Sequence, residues 1–343
     1  MLYGHRKISF LNLPTPLEYM SNLSRELGIS LYFKRDDLTG PGGGGNKLRK
    51  LEYLLWDAKE KGATALITVG APQTNHGRLT AAVAAKFGMK CTIIAMGKYP
   101  GELSANLLLD RMMDSRVTFV RPGKGEDPQE TQAAAVRKAE EVYREAGEVP
   151  YFIPVGGSNE IGSLGYYQCA MEIDAQRQEL ELENPRVMTA VGSMGTYMGL
   201  YSGIRNEDLP LGLTGISVLP QGKLKVNALA YYERCRKLFG LEVQGRISDF
   251  DITEKYHCDG YNNPVRQVRE AIYYAARKEG QILDPCYTGK VFNGLLQMLK
   301  HKEISHGETV IFIHTGGMPG IYAAGHRLFM EEELTEGIFD HHR

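Results

Sequence analysis

The stretch "TALITVGAPQTNHGRLTAAVAAKFG", Thr64–Gly88, decides the fold of this chain. Its opening residues are an apolar run without polar alternation. After a polar turn, the sequence becomes alanine-rich and helical. A strand of that kind is buried on both faces, and the helix after it returns the chain for a parallel neighbour. The unit recurs. "KCTIIAM" (Lys90–Met96) precedes "GELSANLLLDRMM", and "RVTFV" (Arg116–Val120) precedes the long polar helix "DPQETQAAAVRKAEEVYREAG". Further on, "RVMTAVG", "LTGISVLP" and "TVIFIHTGG" each lead into helical sequence. The pattern predicts an α/β protein with mainly parallel sheets covered by helices. Gly156 and Gly157 in "PVGGSNEIG" mark the expected boundary between a compact βα run starting near residue 50 and a second set of strands.

Bulk properties narrow the function. The 343 residues are 43% apolar and 24% charged, with a net charge of −1, so no nucleic-acid footprint is expected. No apolar run approaches the ~20 residues that span a bilayer. The N-terminus has no apolar signal-type segment, and a cytoplasmic location is the expectation. Five widely spaced cysteines without a CxxC pair read as reduced thiols, and nine histidines show no metal spacing. His341 and His342 sit in a tail that reads as disordered.

Ligands in such sheets bind beyond the carboxyl ends of the strands, so the post-strand loops carry the information. In "VGSMGTYMGL" (Val191–Leu200), residues Gly192, Ser193, Gly195 and Thr196 open a helix, either as a phosphate site or as a plain glycine-rich turn. In "VGAPQTNHGRLTAA", the consecutive Gln73, Thr74, Asn75 and His76 suit a substrate carboxylate. Thr74 or Asn75 is equally suited to N-capping. "ILDPCYTGKVFNGL" places Tyr287 and Thr288 at a helix head, with Cys286 reading as a small buried residue. "TVIFIHTGGMPG" ends its strand in His314 and Thr315. Ahead of all of these, "GPGGGGNKLRKLEYLL" (Gly40–Leu55) delivers Lys47 to the start of a helix whose Leu48, Leu51, Leu54 and Leu55 share one face. Burial and the positive end of the helix dipole both lower a lysine pKa, so Lys47 is either a phosphate ligand or an amine able to capture a carbonyl.

Seven stretches in this order, "LPTPLEYMSNLSRELG", "YFKRDDLTG", "GGNKLRKLEYLL", "QTNHGRLTAA", "GSMGT", "LDPCYTGK" and "IHTGG", resemble one family. They are similar to the fold-type-II pyridoxal-phosphate enzymes of the 1-aminocyclopropane-1-carboxylate deaminase/D-cysteine desulfhydrase group. The resemblance runs from Leu13 to Gly317. It implies two three-layer αβα domains: a larger, cofactor-binding one from residues 1–48 and 158–343, and a smaller one from 49–157. It implies pyridoxal 5'-phosphate as cofactor, a small amino-acid substrate, no metal and a homodimer. Lys47 would carry the cofactor, with Asn46 beside it. Lys50 and Gly192–Thr196 would hold the phosphate, Met194 included. Thr315 would face the pyridine nitrogen. Gln73, Thr74, Asn75 and His76 would line the substrate pocket, and Tyr287 would stand over the reacting carbon. Lys47 would move the Cα proton, with Tyr287 or Thr74 as proton donor to the leaving group.

The sequence departs from the family pattern at two positions. Thr74 stands where serine is usual, which adds a methyl and stiffens χ1. Met194 replaces a glycine, which implies a negative φ there. Within the group, ring-opening deaminases carry a glutamate beside the tyrosine, where this chain has Thr288. A neutral threonine implies a weaker electron sink and favours β-elimination, of D-cysteine for example. Cyclopropane deamination, L-cysteate desulfonation and dehydration are the competing outcomes.

Overall fold

The computed structural model describes residues 1–263 and 265–338; His341 and His342 lie outside the described residues. Two sheets organise the chain. The smaller one consists of β3 (Ala65–Gly70), β4 (Lys90–Met96), β5 (Arg116–Val120) and β6 (Pro150–Ile153). Its order is β5-β4-β3-β6 and every pairing is parallel. The larger one draws on β1 (Leu17–Tyr19), β2 (Ser30–Lys34), β7 (Arg186–Val191), β8 (Gly212–Ser217), β9 (Ile252–Thr253) and β10 (Thr309–Ile313). Its order is β1-β2-β10-β7-β8-β9, with only the β1–β2 edge pair antiparallel.

The helices between them are α1 (Ser21–Leu27), α2 (Lys47–Glu60), α3 (Asn75–Lys86), α4 (Ala105–Met112), α5 (Pro128–Glu145) and α6 (Glu160–Glu179). The chain continues with α7 (Gly195–Asn206), α8 (Leu224–Phe239), α9 (Arg266–Glu279), α10 (Thr288–Lys300) and α11 (Ala324–Leu334). Among the described residues, no helix is long and apolar enough to cross a membrane.

The strands are apolar on both sides because both sides are covered. On one face of the small sheet, Leu66, Ile93 and Ile153 pack with Leu48 and Leu51 of α2 and Val83 of α3. On the other, Ile67, Val69 and Ile94 meet Val136 and Tyr143 of α5. The large sheet repeats this. Leu31, Phe33, Val310 and Phe312 pack with α9 and α10, and Val187, Ile311 and Ile313 pack with α6 and α7. This is the three-layer αβα arrangement expected of fold type II. Short strands without a long apolar run escape the sequence pattern: β1, β2 and β6 appear only through their pairings with β2, β10 and β3.

The "KRDD" segment has a structural reason. Asp36, fully buried, receives Arg49 Nε and Nη2 at 2.8 Å each, the Thr15 hydroxyl at 2.8 Å and the Tyr166 hydroxyl. Arg49 also reaches Glu172 with two nitrogens at 2.9 Å, and Lys34 closes the set with Glu172 at 2.5 Å. Burial alone would raise the Asp36 carboxyl, but the Arg49 guanidinium, and after it Lys34, bring it below its ordinary value. The network ties β2, α6 and α2 together two residues beyond Lys47, so it fixes the helix that presents that lysine.

Candidate active site

The carboxyl ends of strands from both sheets converge on one cavity of about 320 Å³. Its lining includes Gly70 of β3, Met96 of β4, Gly156 after β6, Gly192 after β7, Leu219 after β8 and Thr315 after β10. Lys47 is the first residue of α2. It arrives there through a tight approach: a Cβ on Gly44 would lie 1.8 Å from the Asp37 carbonyl oxygen, and one on Gly42 would lie 2.6 Å from the Ala82 Cβ. Both glycines have left-handed φ, +69° and +65°. They let the turn pack under the Asp36–Leu38 segment and against α3.

The Lys47 Nζ lies 3.0 Å from Asn46 Oδ1 and 5.6 Å from the Tyr287 ring centroid. Burial lowers its pKa to about 8, against a smaller opposing pull from Asp284. Close to half of these amines are therefore neutral at slightly alkaline pH, as carbonyl capture requires.

Behind Lys47 is a basic, amide-rich cradle. Lys50, 1% exposed, donates to the Gly156 carbonyl (3.1 Å) and the Ser158 hydroxyl (3.2 Å). Burial and then Lys47 push its pKa well down. The Ser158 hydroxyl is 2.7 Å from Ser193 Oγ and accepts from the Gly195 amide at 3.2 Å. Asn46 donates to the Thr196 hydroxyl at 2.8 Å. Among the described residues, no carboxylate forms an ion pair with Lys47 or Lys50, and none lines the cavity. A buried lysine and a helix N-terminus without a carboxylate counter-charge are suited to a bound dianion. A Cβ on Gly195 would fall 2.5 Å from Ser158 Oγ and 2.9 Å from Lys50 Nζ, so glycine keeps this space open.

Met194 corrects the expectation of a negative φ: its φ is +69°. A left-handed non-glycine residue costs about 1–2 kcal/mol. The Met194 side chain is 7% exposed and packs with Tyr53, Leu164 and Tyr197, which offsets that cost by about 1.5–3 kcal/mol. Glycine at this position also has a looser unfolded state. Met194→Gly is therefore expected to destabilise the protein by about 1 kcal/mol in urea unfolding, despite relieving the backbone; a gain in stability would show that strain dominates.

The four residues after β3 divide. Thr74 and His76 line the cavity with Lys47. Gln73 and Asn75 instead line an adjoining cavity. The Gln73 amide is held by the Ser104 carbonyl and the Leu107 amide, and Asn75 Oδ1 accepts from Asn106 at 2.9 Å. Thr74 caps α3 through Gly77 N at 3.1 Å and also lines the cavity. Its added methyl lies 2.4 Å from where a Gly77 Cβ would be, in space that glycine leaves free. His76 pairs with the Thr68 hydroxyl at 2.8 Å and is kept neutral by burial and then by Lys47 and Lys50.

Tyr287 ends the segment that enters α10. Phe292 of that helix packs on Phe33 and Phe312, which anchors the helix on the large sheet. Asp284, a residue the sequence reading passed over, caps the helix. Its carboxylate accepts from the amides of Cys286 (3.0 Å), Tyr287 (3.0 Å) and Thr288 (2.7 Å). The Asp-Pro step ahead of an apolar helix was a readable capping signal. Thr288 corrects a second expectation. Its hydroxyl is bonded to Asp284 at 2.8 Å and it is 1% exposed, so it does not face the cavity. Thr315, by contrast, lines the cavity. Tyr261, also passed over, places its hydroxyl 2.8 Å from that of Tyr287. Cys286 is buried, its thiol pushed up to about 12, and His314 lies outside the lining.

Comparisons with known proteins agree with this geometry. The family model described as "Pyridoxal-phosphate dependent enzyme" matches residues 8–316. A D-cysteine desulfhydrase of Salmonella typhimurium is 38% identical over 328 residues, covering 92% of this chain and 95% of its own. A Pyrococcus abyssi protein provisionally named 1-aminocyclopropane-1-carboxylate deaminase is 39% identical over 328 residues, covering 94% of each. The crystal structure of an ACC deaminase homologue superposes with a TM-score of 0.83 at 38% identity, covering 95% of this chain and 96% of that one. A carboxylate-free cavity with a low-pKa lysine and an open anion cradle fits pyridoxal phosphate, and the family match spans nearly the whole length. This chain therefore belongs to the pyridoxal-phosphate dependent enzymes, as a fold-type-II member of lyase type.

Proposed function

We propose that the protein catalyses α,β-elimination of a D-amino acid with a β leaving group, with D-cysteine and water giving pyruvate, sulfide and ammonia. The observation that carries this reading is that, among the described residues, no carboxylate lines the cavity, where Thr315 supplies a neutral hydroxyl. A neutral partner favours loss of a good leaving group over opening an unactivated ring.

Lys50, Ser193, Gly195 and Thr196 would hold the phosphate, with Ser158 ordering them. Lys47 would capture the aldehyde carbon, and Asn46 would orient its amine. Bound pyridoxal phosphate supplies the electron sink for charge left at the substrate Cα. The Lys47 amine takes the Cα proton, which its lowered pKa permits near neutral pH. The Tyr287 hydroxyl, shared with Tyr261, delivers a proton to the departing group, and Thr74 offers a second hydroxyl on the same lining.

The names of the archaeal relatives favour a second reading, deamination of the cyclopropane acid. Assaying keto acid from D-cysteine, 3-chloro-D-alanine, L-cysteate and 1-aminocyclopropane-1-carboxylate separates the two. Pyruvate and sulfide from D-cysteine support elimination; 2-oxobutanoate from the cyclopropane acid as the main product would sink it. Residues 49–157 are read as the smaller domain and 1–48 with 158–343 as the larger. In support, β3 to β6 pair only with one another. A cytoplasmic homodimer completes the proposal. Light scattering at twice the chain mass tests the dimer.

A further inference from the structure

Lys290 ends "LDPCYTGK", and nothing in the reading above uses it. It is the third residue of α10, one turn beyond Tyr287, and its side chain is 0% exposed. Among the described residues it forms no ion pair. Its ammonium donates instead to three backbone carbonyls: Val218 at 3.2 Å, His257 at 2.8 Å, and Gly260. Two of these belong to the segment between β9 and α9. An ammonium stripped of water is costly to bury without a charged partner, which makes it a poor device for stability alone.

The segment it holds is strained. Cys258, Asp259 and Asn262 have φ of +54°, +58° and +56°, and Gly260 has +104°. Left-handed non-glycine residues persist only where the surroundings over-determine them. Among the described residues, Tyr256 and Cys258 anchor the segment in the core. Besides Lys290, Cys258 Sγ accepts from Asn293 and Gln267 at 3.3 Å each, and Asn262 Oδ1 pairs with His326 at 2.7 Å. Between these points stands Tyr261, 39% exposed, so core packing does not aim it. Its direction is set by its backbone together with its hydroxyl, which bonds the Cys286 thiol and meets the Tyr287 hydroxyl at 2.8 Å, with the two tyrosine rings edge-on at 5.8 Å and 73°. The entry to α10 therefore carries Tyr287, and its first turn, through Lys290, pins the backbone that presents Tyr261.

We propose that Lys290 is a positioning residue for the reaction: its ammonium gathers the carbonyls of Val218, His257 and Gly260 and thereby holds Tyr261 in register with Tyr287. This rests on the reading of Tyr287 as a group at the reacting atoms. A displacement near 1 Å in such a pair costs about 100-fold in rate.

The test is a double-mutant cycle on the holoenzyme with the best substrate of the panel above. Lys290→Met is expected to lower kcat about 100-fold with KM changed less than about 3-fold, and Tyr261→Phe to have a similar effect. In the Tyr261→Phe background, Lys290→Met should then cost less than about 3-fold. The same 100-fold loss in both backgrounds would overturn the proposal. Hydrogen exchange supplies a readout that needs no turnover, and so separates this inference from the choice of substrate. Lys290→Met should speed exchange in residues 254–263 about 10-fold or more, while α2 and the start of α7 keep wild-type protection. Unchanged exchange in that segment would overturn it. Lys290→Gln, which retains two donors, should fall between wild type and Lys290→Met. If neither variant folds, the residue is a stability element and the proposal fails.

Discussion

Lys47→Ala protein supplied with pyridoxal phosphate is expected to lack the visible absorbance of the covalently held cofactor. Its turnover should fall by roughly 10⁴-fold or more, since both covalent capture and a general base are lost. Lys47 is the amine that opens into the cavity, while Lys50 is turned back onto Gly156 and Ser158. Retained absorbance or turnover would remove Lys47 from the mechanism. The same amine sets a pH dependence. With a pKa of about 8 for Lys47, the rate of cofactor uptake by the cofactor-free protein should rise about tenfold per pH unit below that value and level off above it. A free lysine, near 10.4, would keep rising well past pH 9. The sign for stability is the reverse of the usual lysine case. The folded state releases this proton first, so the cost of holding the lysine falls as pH rises from 8 towards 10.

Arg49→Met is expected to cost about 3–5 kcal/mol, because it leaves Asp36 ionised and fully buried with only hydroxyls and Lys34 nearby. The thermal midpoint should fall by roughly 5–10 °C. Adding Asp36→Asn to Arg49→Met should recover part of the loss, since the stranded charge is gone. A drop below 1 kcal/mol would contradict the description of Arg49 as the centre of this network. Acid gives an independent check. The Asp36 and Glu172 carboxyls sit below their ordinary values, so their contribution is complete above about pH 4 and disappears as pH falls through the folded values. Wild-type stability should fall steeply below pH 4, and Arg49→Met should lack most of that slope.

Much of the site was legible because its residues follow strands that announce themselves. "TALITV", "RVMTAV" and "TVIFI" are apolar enough to be placed by pattern, and Thr74, the Gly192–Thr196 turn and Thr315 follow from them. Lys47 was legible because leucine periodicity puts it at a helix start. The reading went astray where a side chain's direction mattered. Thr288 sits beside Tyr287 in sequence, yet it turns to Asp284 because a helix N-terminus needs an acceptor. Gly156, read as punctuation between domains, also lines the cavity, and Ser158 two residues on links Lys50 to the cradle.

The sequence by itself determined the class of fold, the order of its units and the lysine that opens into the cavity. Each is written in local signals: apolar runs, a helical period, a polar turn after a strand. Only the tertiary structure decided which polar groups meet. Arg49 finds Glu172 across 123 positions, Lys50 finds Ser158 across 108, and Tyr261 finds Tyr287 across 26 with Lys290 behind both. Such contacts leave no local period or composition. They are set by strand order and by how two sheets bring their carboxyl ends together.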